Sequence, residues 1–379
     1  MFTEQDHAWM LHALALASRG MYGTSPNPRV GCVIIRDGEV VGEGWHRRAG
    51  EPHAEVLALA QAGARARGAT VYVTLEPCAH HGKTPPCAHA LVEAQVGRLI
   101  AAMEDPNPAV DGGGLSILRA AGIDVRCGLL RAEAFELNLG FVSRMLRGRP
   151  WVRLKVAASL DGTTALADGQ SQWITAAAAR ADGHAWRARA CAILTGIGTV
   201  RSDDPRLDVR EVETMRQPLK VLVDSRLEVD PRAAMLRTGR ALVACAEAPA
   251  ERAADLRDRG VEVIELPGPQ GKVDLPALLA HLGTRGINEL HVEAGAKLNA
   301  SLLRESCVDE LLVYLAPSVI GPGAGMFSLG PIASLDERLR LEFTDVARVG
   351  DDVRLLARLP GRLAMPGAAG DGVETLGAC

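Results

Sequence analysis

Hydrophobic and polar positions in the first part of the chain alternate between the pattern of amphipathic helices and that of short buried strands. Thr3 precedes the first helical stretch and Asp6 follows three residues later, which is the arrangement of a capping box. The pattern predicts helices near residues 4–18, from His53, from Ala88 and after Gly114, and strands near 30–35, 39–46, 71–75, 98–103 and before Arg126. This alternation predicts a layered α/β domain.

Short apolar runs separated by helical stretches continue through the second half of the chain. They predict buried strands at 192–195, 220–223, 241–245, 261–264, 290–293 and 311–315. Crossover helices between parallel strands are the economical connection, so a second α/β domain is expected. Neither Gly196-Ile197-Gly198 nor Gly112-Gly113-Gly114 continues into the pattern G-x-G-x-x-G, so the standard dinucleotide-binding fold is disfavoured.

A short basic break separates the two halves. Arg147-Gly148-Arg149-Pro150 contains both helix-breaking residue types, and a new strand is predicted from Trp151. We therefore predict a first domain at 1–146, a linker at 147–150 and a second domain at 151–362. Residues 363–379 are rich in Gly and Ala and are expected to form a disordered tail. A chain of 379 residues is long enough for two hydrophobic cores.

Composition excludes several classes of protein. The chain has 42 basic and 46 acidic residues and only 3% aromatic residues, so neither a basic groove nor stacking platforms for nucleic acid are expected. Glu4 and Asp6 replace the basic start of an export signal, and no apolar run approaches the length of a membrane span. The eight cysteines are scattered, as is usual in a reducing cytoplasm. We expect a cytoplasmic homo-oligomer that acts on a small molecule, with no nucleic-acid or membrane partner.

His53, Cys78 and Cys87 add candidate chemistry to this outline, because they are the ligand types of a catalytic zinc site. One imidazole and two thiolates hold zinc and leave a fourth position for a water molecule, whose pKa the metal lowers. Glu55 follows the His by two residues, as does the non-ligand Glu that moves protons in zinc deaminases. We predict that His53, Cys78 and Cys87 bind zinc and that Glu55 is the catalytic residue.

The residues alone leave other interpretations open. Eight residues separate Cys78 from Cys87, whereas the general deaminase pattern has two. His53 is equally placed to cap a helix, and the two cysteines to be buried thiols or a disulfide. A structural zinc site with four ligands, including His80, is a further alternative. The combination of these ligands with Glu55 and the neighbouring prolines favours catalytic zinc.

Several segments of the first half carry a likeness to a known family. They are SPNPRVG at 25–31, GEGWH at 42–46, GEPHAE at 50–55, EPCAHHGKTPPC at 76–87 and DPNP at 105–108. These segments resemble the bifunctional riboflavin-biosynthesis deaminase/reductases, in which the wider cysteine spacing is usual. The resemblance implies a cytidine-deaminase-like, three-layer α/β domain. It also implies that Asn27, His46, Lys83 and Asn107 contact the substrate, with Lys83 suited to its phosphate.

The second half resembles the reductase part of the same family. The matching segments are KVAASLDG at 155–162, SQWIT at 171–175, TVRSDDP at 199–205 and VEAG at 292–295. The resemblance implies a dihydrofolate-reductase-like α/β domain that binds NADPH. The implied NADPH contacts are Ala158, Trp173, Thr199, Asp203, Ser225, Gly295, Ala296, Lys297, Leu298, Asn299, Ala300 and Ser301. The implied contacts of the reductase substrate are Lys155, Asp161, Ser171, Leu207, Arg210 and Glu293.

Some of these residues have structural interpretations of similar weight. Lys155 and Asp161 are candidates for proton handling or ribose positioning. Lys155 is equally compatible with a solvated strand edge, Trp173 with a core position and Asp161-Gly162 with a turn. Arg226, which follows the strand that starts near Lys220, is expected to recognise a 2′-phosphate of the cofactor.

The sequence therefore predicts a bifunctional enzyme that uses Zn2+ and NADPH. Its first domain is expected to deaminate 2,5-diamino-6-(5-phosphoribosylamino)pyrimidin-4(3H)-one. Its second domain is expected to reduce the ribosyl chain of the product, 5-amino-6-(5-phosphoribosylamino)uracil. Two alternatives remain: a nucleoside or tRNA deaminase with an unrelated second domain, and a non-enzymatic nucleotide-binding protein with a structural zinc.

Overall fold

The chain folds into two units, Met1–Arg147 and Gly148–Arg362, in a computed structural model that describes residues 1–79, 86–108, 110 and 112–363. The division falls inside the basic break at 147–150, and the limits of the linker itself stay a prediction. The expected disordered tail lies outside the described residues, apart from Leu363. Among the described helices, none combines the length and the apolar character that crossing a membrane requires.

The first unit is built on a five-stranded sheet in the order β2-β1-β3-β4-β5. β1 pairs antiparallel with both β2 and β3, whereas β3, β4 and β5 run parallel. The strands are β1 (Gly31–Arg36), β2 (Glu39–Trp45), β3 (Thr70–Val73), β4 (Arg98–Ala101) and β5 (Asp124–Cys127). The predicted α/β arrangement is confirmed for this unit, and the strand predicted at 71–75 ends two residues earlier, at Val73.

Helices cover both faces of this sheet and make the unit three-layered. They are α1 (Glu4–Ser18), α2 (Ala54–Ala62), α3 (Cys87–Glu93), α4 (Gly113–Ala120), α5 (Arg131–Leu137) and α6 (Leu139–Arg147), and a 3-10 helix spans Gly63–Ala66. The predicted capping box of α1 is present, since Thr3 and Asp6 exchange both hydrogen bonds. Helix α2 packs closely against the sheet at Gly42 of β2. A Cβ atom at this position would lie 2.1 Å from the carbonyl oxygen of Ala58 in α2. This contact fixes α2, and with it the candidate zinc ligand His53, against the sheet.

The second unit is built on a nine-stranded sheet in the order β11-β10-β9-β8-β12-β6-β13-β16-β15. All neighbours from β11 to β13 are parallel, whereas β16 is antiparallel to β13 and to β15. β7 and β14 form a separate two-stranded ribbon. The strands are β6 (Trp151–Ser159), β7 (Thr163–Leu166), β8 (Ala192–Gly196), β9 (Leu219–Val223), β10 (Ala241–Cys245), β11 (Glu262–Glu265), β12 (Glu289–Val292), β13 (Glu310–Ala316), β14 (Gly323–Gly325), β15 (Glu342–Val349) and β16 (Asp352–Arg358).

Crossover helices join the parallel strands, as predicted, and bury both faces of the large sheet. They are α7 (Ala177–Arg189), α8 (Ile197–Asp203), α9 (Ala250–Asp258), α10 (Leu275–Thr284) and α11 (Ala296–Arg304), and 3-10 helices span Ala234–Leu236, Pro269–Gly271 and Leu335–Glu337. Apolar side chains of α10 and α11 pack on one face, and those of α8 and α9 pack on the other. The carboxyl ends of β8, β9 and β12 therefore open on the same edge, where parallel α/β sheets bind ligands.

Candidate zinc centre and cofactor cleft

Three residues with metal-ligating side chains converge in the first unit. His53 directly precedes α2, Cys78 follows β3, and Cys87 is the first residue of α3. His53 Nδ1 lies 3.7 Å from Cys78 Sγ and 3.3 Å from Cys87 Sγ, and the three ligand atoms lie within 4.8 Å of one another. An imidazole and two thiols at these separations fit a tetrahedral zinc ion with one position left over. The sequence placed His53 in the first turn of the helix, whereas the structure makes it the N-cap residue.

The surroundings of Cys78 favour its charged form. The backbone amide of Cys87 donates to Cys78 Sγ at 3.3 Å. The side-chain hydrogen bond from Cys87 and the neighbouring His53 together lower the pKa of Cys78 below the ordinary thiol value. These contacts favour the thiolate, which is the form that binds a metal.

Glu55 lies beside the ligand set in the first turn of α2, as predicted. Its side chain is almost fully buried and accepts a hydrogen bond from the Cys87 thiol. Burial raises the pKa of Glu55 above the ordinary carboxyl value, and the nearby His53 opposes that change. A buried carboxylate that adjoins the ligands without being one of them is placed to carry protons.

Asn27 and His46 meet beside His53. Asn27 Nδ2 lies 3.0 Å from His46 Nε2, and His46 Nδ1 lies 3.2 Å from the carbonyl oxygen of Pro52. Burial lowers the pKa of His46, which favours the neutral ring that donates from Nδ1 and accepts at Nε2. The rings of His46 and His53 meet edge to face with centroids 5.2 Å apart. Two of the predicted substrate contacts therefore adjoin the candidate zinc ligands.

Glu76 is a residue of this site that the sequence argument did not single out. Its buried carboxylate accepts hydrogen bonds from the backbone amides of Asp105 and Gly112 at 3.1 Å, of Gly114 at 2.9 Å and of Leu115 at 3.2 Å. It thereby ties the loop that follows β4 to the segment that carries Cys78. Its place directly before Pro77-Cys78 is the signal in the sequence that could have identified it.

The loop held by Glu76 includes the predicted substrate contact Asn107. The backbone amide of Asn107 donates to Asp105 Oδ1 at 2.9 Å. Burial, with the charges of Glu76 and Cys78, raises the pKa of Asp105 to about 7. Lys83 and His80, which also entered the sequence argument, lie outside the described residues.

A cleft of about 1380 Å3 opens in the second unit. Its lining contains most of the residues that the family resemblance implied for NADPH and for the second substrate. These are Lys155, Ser171, Trp173, Thr199, Asp203, Leu207, Arg210, Ser225, Glu293, Gly295, Ala296, Lys297, Leu298, Asn299 and Ser301. Gly295 caps α11, so the free amides at the start of this nine-residue helix lie at the cleft, where they suit a phosphate. The size and the lining of the cleft fit a dinucleotide together with a small substrate.

Three predicted residues lie elsewhere. Ala158 is fully buried in β6 and Ala300 is fully buried in α11. Asp161 accepts hydrogen bonds from Ser159 Oγ at 2.5 Å, from the amide of Ile320 at 3.2 Å and from that of Gly321 at 2.8 Å. Its carboxylate joins the turn after β6 to the segment that leads into β14. The structure does not bring these three side chains together with the cleft, and their assignment stays a prediction.

Charged side chains gather around Glu293 in the cleft. Arg187, a cleft residue absent from the sequence argument, donates to Glu293 at 2.5 and 2.8 Å. Burial alone raises the pKa of Glu293, but Arg187, His291 and Lys155 bring it well below the ordinary value. Burial lowers the pKa of Lys155, and Glu293 opposes that change. The cleft therefore holds an ionised carboxylate beside an ammonium group that gives up its proton more readily than usual.

Trp173 is an exposed large side chain among the predicted cofactor contacts. It is 70% exposed, and the guanidinium of Arg180 lies 4.6 Å from its ring centroid. The structure therefore excludes the alternative that Trp173 is a core residue. Ser225 Oγ accepts a hydrogen bond from the amide of Val273 at 3.3 Å, which fixes this hydroxyl at the carboxyl end of β9.

Two family models match the chain. Residues 3–103 match the cytidine and deoxycytidylate deaminase zinc-binding region, and residues 150–355 match the RibD C-terminal domain. The first match contains the three candidate ligands with Glu55, and the second contains the cleft.

Proteins with the same two-part organisation are similar over nearly the whole chain. A riboflavin biosynthesis protein RibD of Escherichia coli (strain K12) is 47% identical, covering 93% of this chain and 98% of its own. The structure of Acinetobacter baumannii RibD is similar with a TM-score of 0.87 at 44% identity, covering 94% of this chain and 99% of its own. A diaminohydroxyphosphoribosylaminopyrimidine deaminase/5-amino-6-(5-phosphoribosylamino)uracil reductase from Thermotoga maritima is similar with a TM-score of 0.84 at 30% identity, covering 94% and 99%.

Proposed function

The chain belongs to the family of bifunctional riboflavin-biosynthesis deaminase/reductases, and from this premise we propose which of its residues perform each reaction. The first domain hydrolytically deaminates 2,5-diamino-6-(5-phosphoribosylamino)pyrimidin-4(3H)-one with zinc. The second domain reduces 5-amino-6-(5-phosphoribosylamino)uracil with NADPH. The observation that carries the assignment is the convergence of His53, Cys78 and Cys87 beside the buried carboxylate of Glu55.

His53, Cys78 and Cys87 hold the zinc ion, which when bound supplies Lewis acidity to the hydrolysis. Glu55 accepts a proton from the attacking water at its carboxylate. It then returns protons to the ring nitrogen and to the departing amino group, so that water and the amine become a carbonyl and ammonia. The burial of Glu55 supports this role, because it holds the carboxylate beside the ligands.

Substrate orientation in the first domain is assigned to side chains around His53. Asn27 and His46 form one hydrogen-bonded pair, and a neutral His46 leaves the Asn27 carbonyl free to accept from the pyrimidine. Asn107 reaches the substrate from the loop that Glu76 holds. Lys83 is proposed to contact the phosphate of the substrate, on the basis of the family resemblance alone.

NADPH supplies the hydride for the second reaction, and the cleft residues of the second domain hold the two reactants together. Gly295 and the start of α11 bind phosphate oxygens of the cofactor. The exposed ring of Trp173 covers the side of the cofactor that faces solvent. Lys155 Nζ gives the proton that the reduced ribosyl group takes up, which its lowered pKa supports. Glu293, held by Arg187, accepts hydrogen bonds from ribosyl hydroxyls. Orientation of this kind is the main contribution of a protein to hydride transfer.

The protein is proposed to work in the cytoplasm as a homo-oligomer. The seven cysteines in the described part of the chain form no disulfide, which supports a reducing compartment. Edge strand β15 exposes apolar side chains, among them Phe343 and Val346, which supports association between copies. Light scattering coupled to gel filtration tests the oligomer, since a monomeric mass at micromolar concentration would contradict it.

The assignment of two reactions is tested in one sample that contains the zinc-loaded protein and the phosphoribosylated diaminopyrimidinone. Ammonia release and NADPH absorbance are followed together, with and without NADPH. We expect ammonia release without NADPH, and NADPH oxidation only after deaminated product has formed. Ammonia release without any oxidation of NADPH would contradict the reductase assignment. The absence of both signals would contradict the proposed substrate.

A further inference from the structure

Three charged side chains form a cluster at one end of the cleft in the second unit. Arg201 Nη2 lies 2.6 Å from Glu228 Oε2, and Arg226 Nε lies 3.2 Å from Glu228 Oε1. All three residues line the cleft. We call Arg201, Arg226 and Glu228 the Glu228 cluster. Its two guanidinium groups share one carboxylate, so the cluster carries one net positive charge.

A buried turn builds this cluster. Asp224, which follows β9, accepts a hydrogen bond from the amide of Val229 at 2.7 Å through Oδ2, and its carbonyl oxygen accepts from the amide of Leu227 at 3.0 Å. Leu227 is buried beneath the turn. The residues on either side of it, Arg226 and Glu228, are therefore directed outward to the cleft, where Arg201 approaches from α8. The turn fixes the backbone, so the arrangement does not depend on the surface ion pairs alone.

The order of the strands sets the position of the cluster along the cleft. Lys155 lies on β6, and the cluster follows β9, with β12 and β8 between them. Three strand spacings correspond to about 14 Å. Gly295 and the start of α11 follow β12, in the middle of this span. If the hydride is transferred near Lys155 and the diphosphate lies at α11, the adenosine half of the cofactor extends toward the Glu228 cluster.

We propose that the Glu228 cluster reads the 2′-position of the adenosine ribose and that Glu228 limits the preference for NADPH over NADH. The inference rests on the proposed reductase function. It goes beyond the expectation for Arg226 alone, because the structure adds a second arginine and a carboxylate. Arginine binds a 2′-phosphate through paired charged hydrogen bonds, whereas a carboxylate accepts a hydrogen bond from an unmodified 2′-hydroxyl. The cluster contains both elements.

The exposure of the arginines supports a binding role. Arg201 and Arg226 side chains are 57% and 75% exposed, so both present N–H groups to the cleft beyond the contacts with Glu228. A 2′-phosphate attracts both guanidinium groups and is repelled by the carboxylate of Glu228. A 2′-hydroxyl has no charge to repel and gains an acceptor. Glu228 therefore acts against NADPH and in favour of NADH, and Arg201 and Arg226 act in the opposite sense.

The test is the equilibrium binding of NADPH and of NADH to the full-length, zinc-loaded protein, measured by titration calorimetry without pyrimidine. For Arg201→Ala and Arg226→Ala we expect the Kd of NADPH to rise about tenfold, with less than about a twofold change for NADH. For Glu228→Gln we expect the Kd of NADPH to fall about threefold and that of NADH to rise. Arg232→Ala is the matched control, since Arg232 forms a similar ion pair with Asp230 outside the cleft lining.

The two nucleotides separate the possible failures. If both arginine variants weaken NADPH and NADH equally, the cluster binds a group common to both nucleotides and the inference is wrong. If Glu228→Gln leaves the ratio of the two Kd values unchanged, Glu228 does not set the preference. If the wild-type protein binds neither nucleotide, the proposed reductase function is contradicted and the inference fails with it.

Discussion

Arg187 and Glu293 form a two-pronged ion pair in the cleft of the second domain. Arg187 Nε donates to Glu293 Oε1 at 2.5 Å, and Nη2 donates to Oε2 at 2.8 Å. Arg187 Nη1 also donates to the carbonyl oxygen of Asp208 at 3.1 Å. These bonds join α7, the end of β12 and the segment before Arg210. The pair therefore positions Glu293 for the substrate contact assigned to it.

Arg187→Ala is expected to impair the reductase reaction selectively. Removing Arg187 from this largely buried ion pair takes the main partner from the carboxylate of Glu293, and breaking such a pair costs about 3 kcal/mol or more. We expect kcat/KM for reduction to fall about a hundredfold, mainly through KM, with deamination unchanged. Arg285→Ala is the control, because Arg285 makes the same type of pair with Glu262 at 2.5 and 2.9 Å outside the cleft. Equal losses in both variants would show a general effect on folding.

Glu76→Gln is expected to weaken substrate binding in the deaminase domain. The carboxylate of Glu76 accepts four backbone hydrogen bonds, and an amide turns one acceptor into a donor that faces amide N–H groups. Each hydrogen bond to a charged group contributes about 1.5–3 kcal/mol, so the loop with Asn107 loses its fixed position. We expect KM for deamination to rise about tenfold while one zinc per chain is retained. The exposed Glu93 provides the control variant Glu93→Gln. Loss of zinc from Glu76→Gln would assign Glu76 to the metal centre itself.

Gly42→Ala is expected to destabilise the packing of α2 on the first sheet. A Cβ atom at Gly42 would lie 2.1 Å from the carbonyl oxygen of Ala58, so the helix must move. Overpacking of this kind costs about 1–3 kcal/mol. We expect a lower temperature for zinc release and slower deamination, because α2 carries Glu55. Gly183→Ala, where the added Cβ meets nothing within 4 Å, should leave both unchanged. Unchanged zinc release in Gly42→Ala would contradict the packing described.

His291 is expected to make the second domain less stable in mild acid. Burial lowers the pKa of His291 below the ordinary value of 6.5, although Glu293 opposes that change. Below pH 6.5 the unfolded chain binds a proton that the folded chain does not, so stability falls as the pH drops. The slope approaches about 1.4 kcal/mol per pH unit for this one group. Denaturant unfolding between pH 7.5 and 5.5 should show a smaller loss in His291→Gln than in wild type. Exposed His7→Gln is the control and should lose as much stability as wild type. If His291→Gln also loses as much stability as wild type, His291 is not the source of the acid sensitivity.

The elements that the sequence predicted best are those whose signals are local. α1 begins and ends at the predicted residues, because its capping box and its helical pattern lie within the helix. β10 likewise coincides with the run at 241–245. The antiparallel strand β15 was not predicted. None of its eight residues is buried, and its Phe343 and Val346 are exposed, so the usual contrast between buried and exposed positions is lost.

Site residues, like helices and strands, were predictable from the sequence where their signal is local. His53 and Glu55 lie two residues apart, so a short motif is enough to find them. The role of Arg187 depends on Glu293, which lies 106 residues away, and the role of Glu76 on Gly114, which lies 38 residues away. Asp161 shows the opposite case. Its motif implied a contact with the reductase substrate, which stays a prediction, and its carboxylate accepts the amides of Ile320 and Gly321, which are distant in sequence.

Glu55 is proposed to move protons at the zinc centre of the first unit, whereas the reduction is assigned to the second unit. The most direct test is Glu55→Gln, in which zinc content, ammonia release and NADPH oxidation on already deaminated substrate are all measured. We predict one zinc per chain, a loss of ammonia release of at least about a thousandfold, and reduction at the wild-type rate. If Glu55→Gln loses both its zinc and its ammonia release, or if it still deaminates the substrate, Glu55 does not have the proposed role.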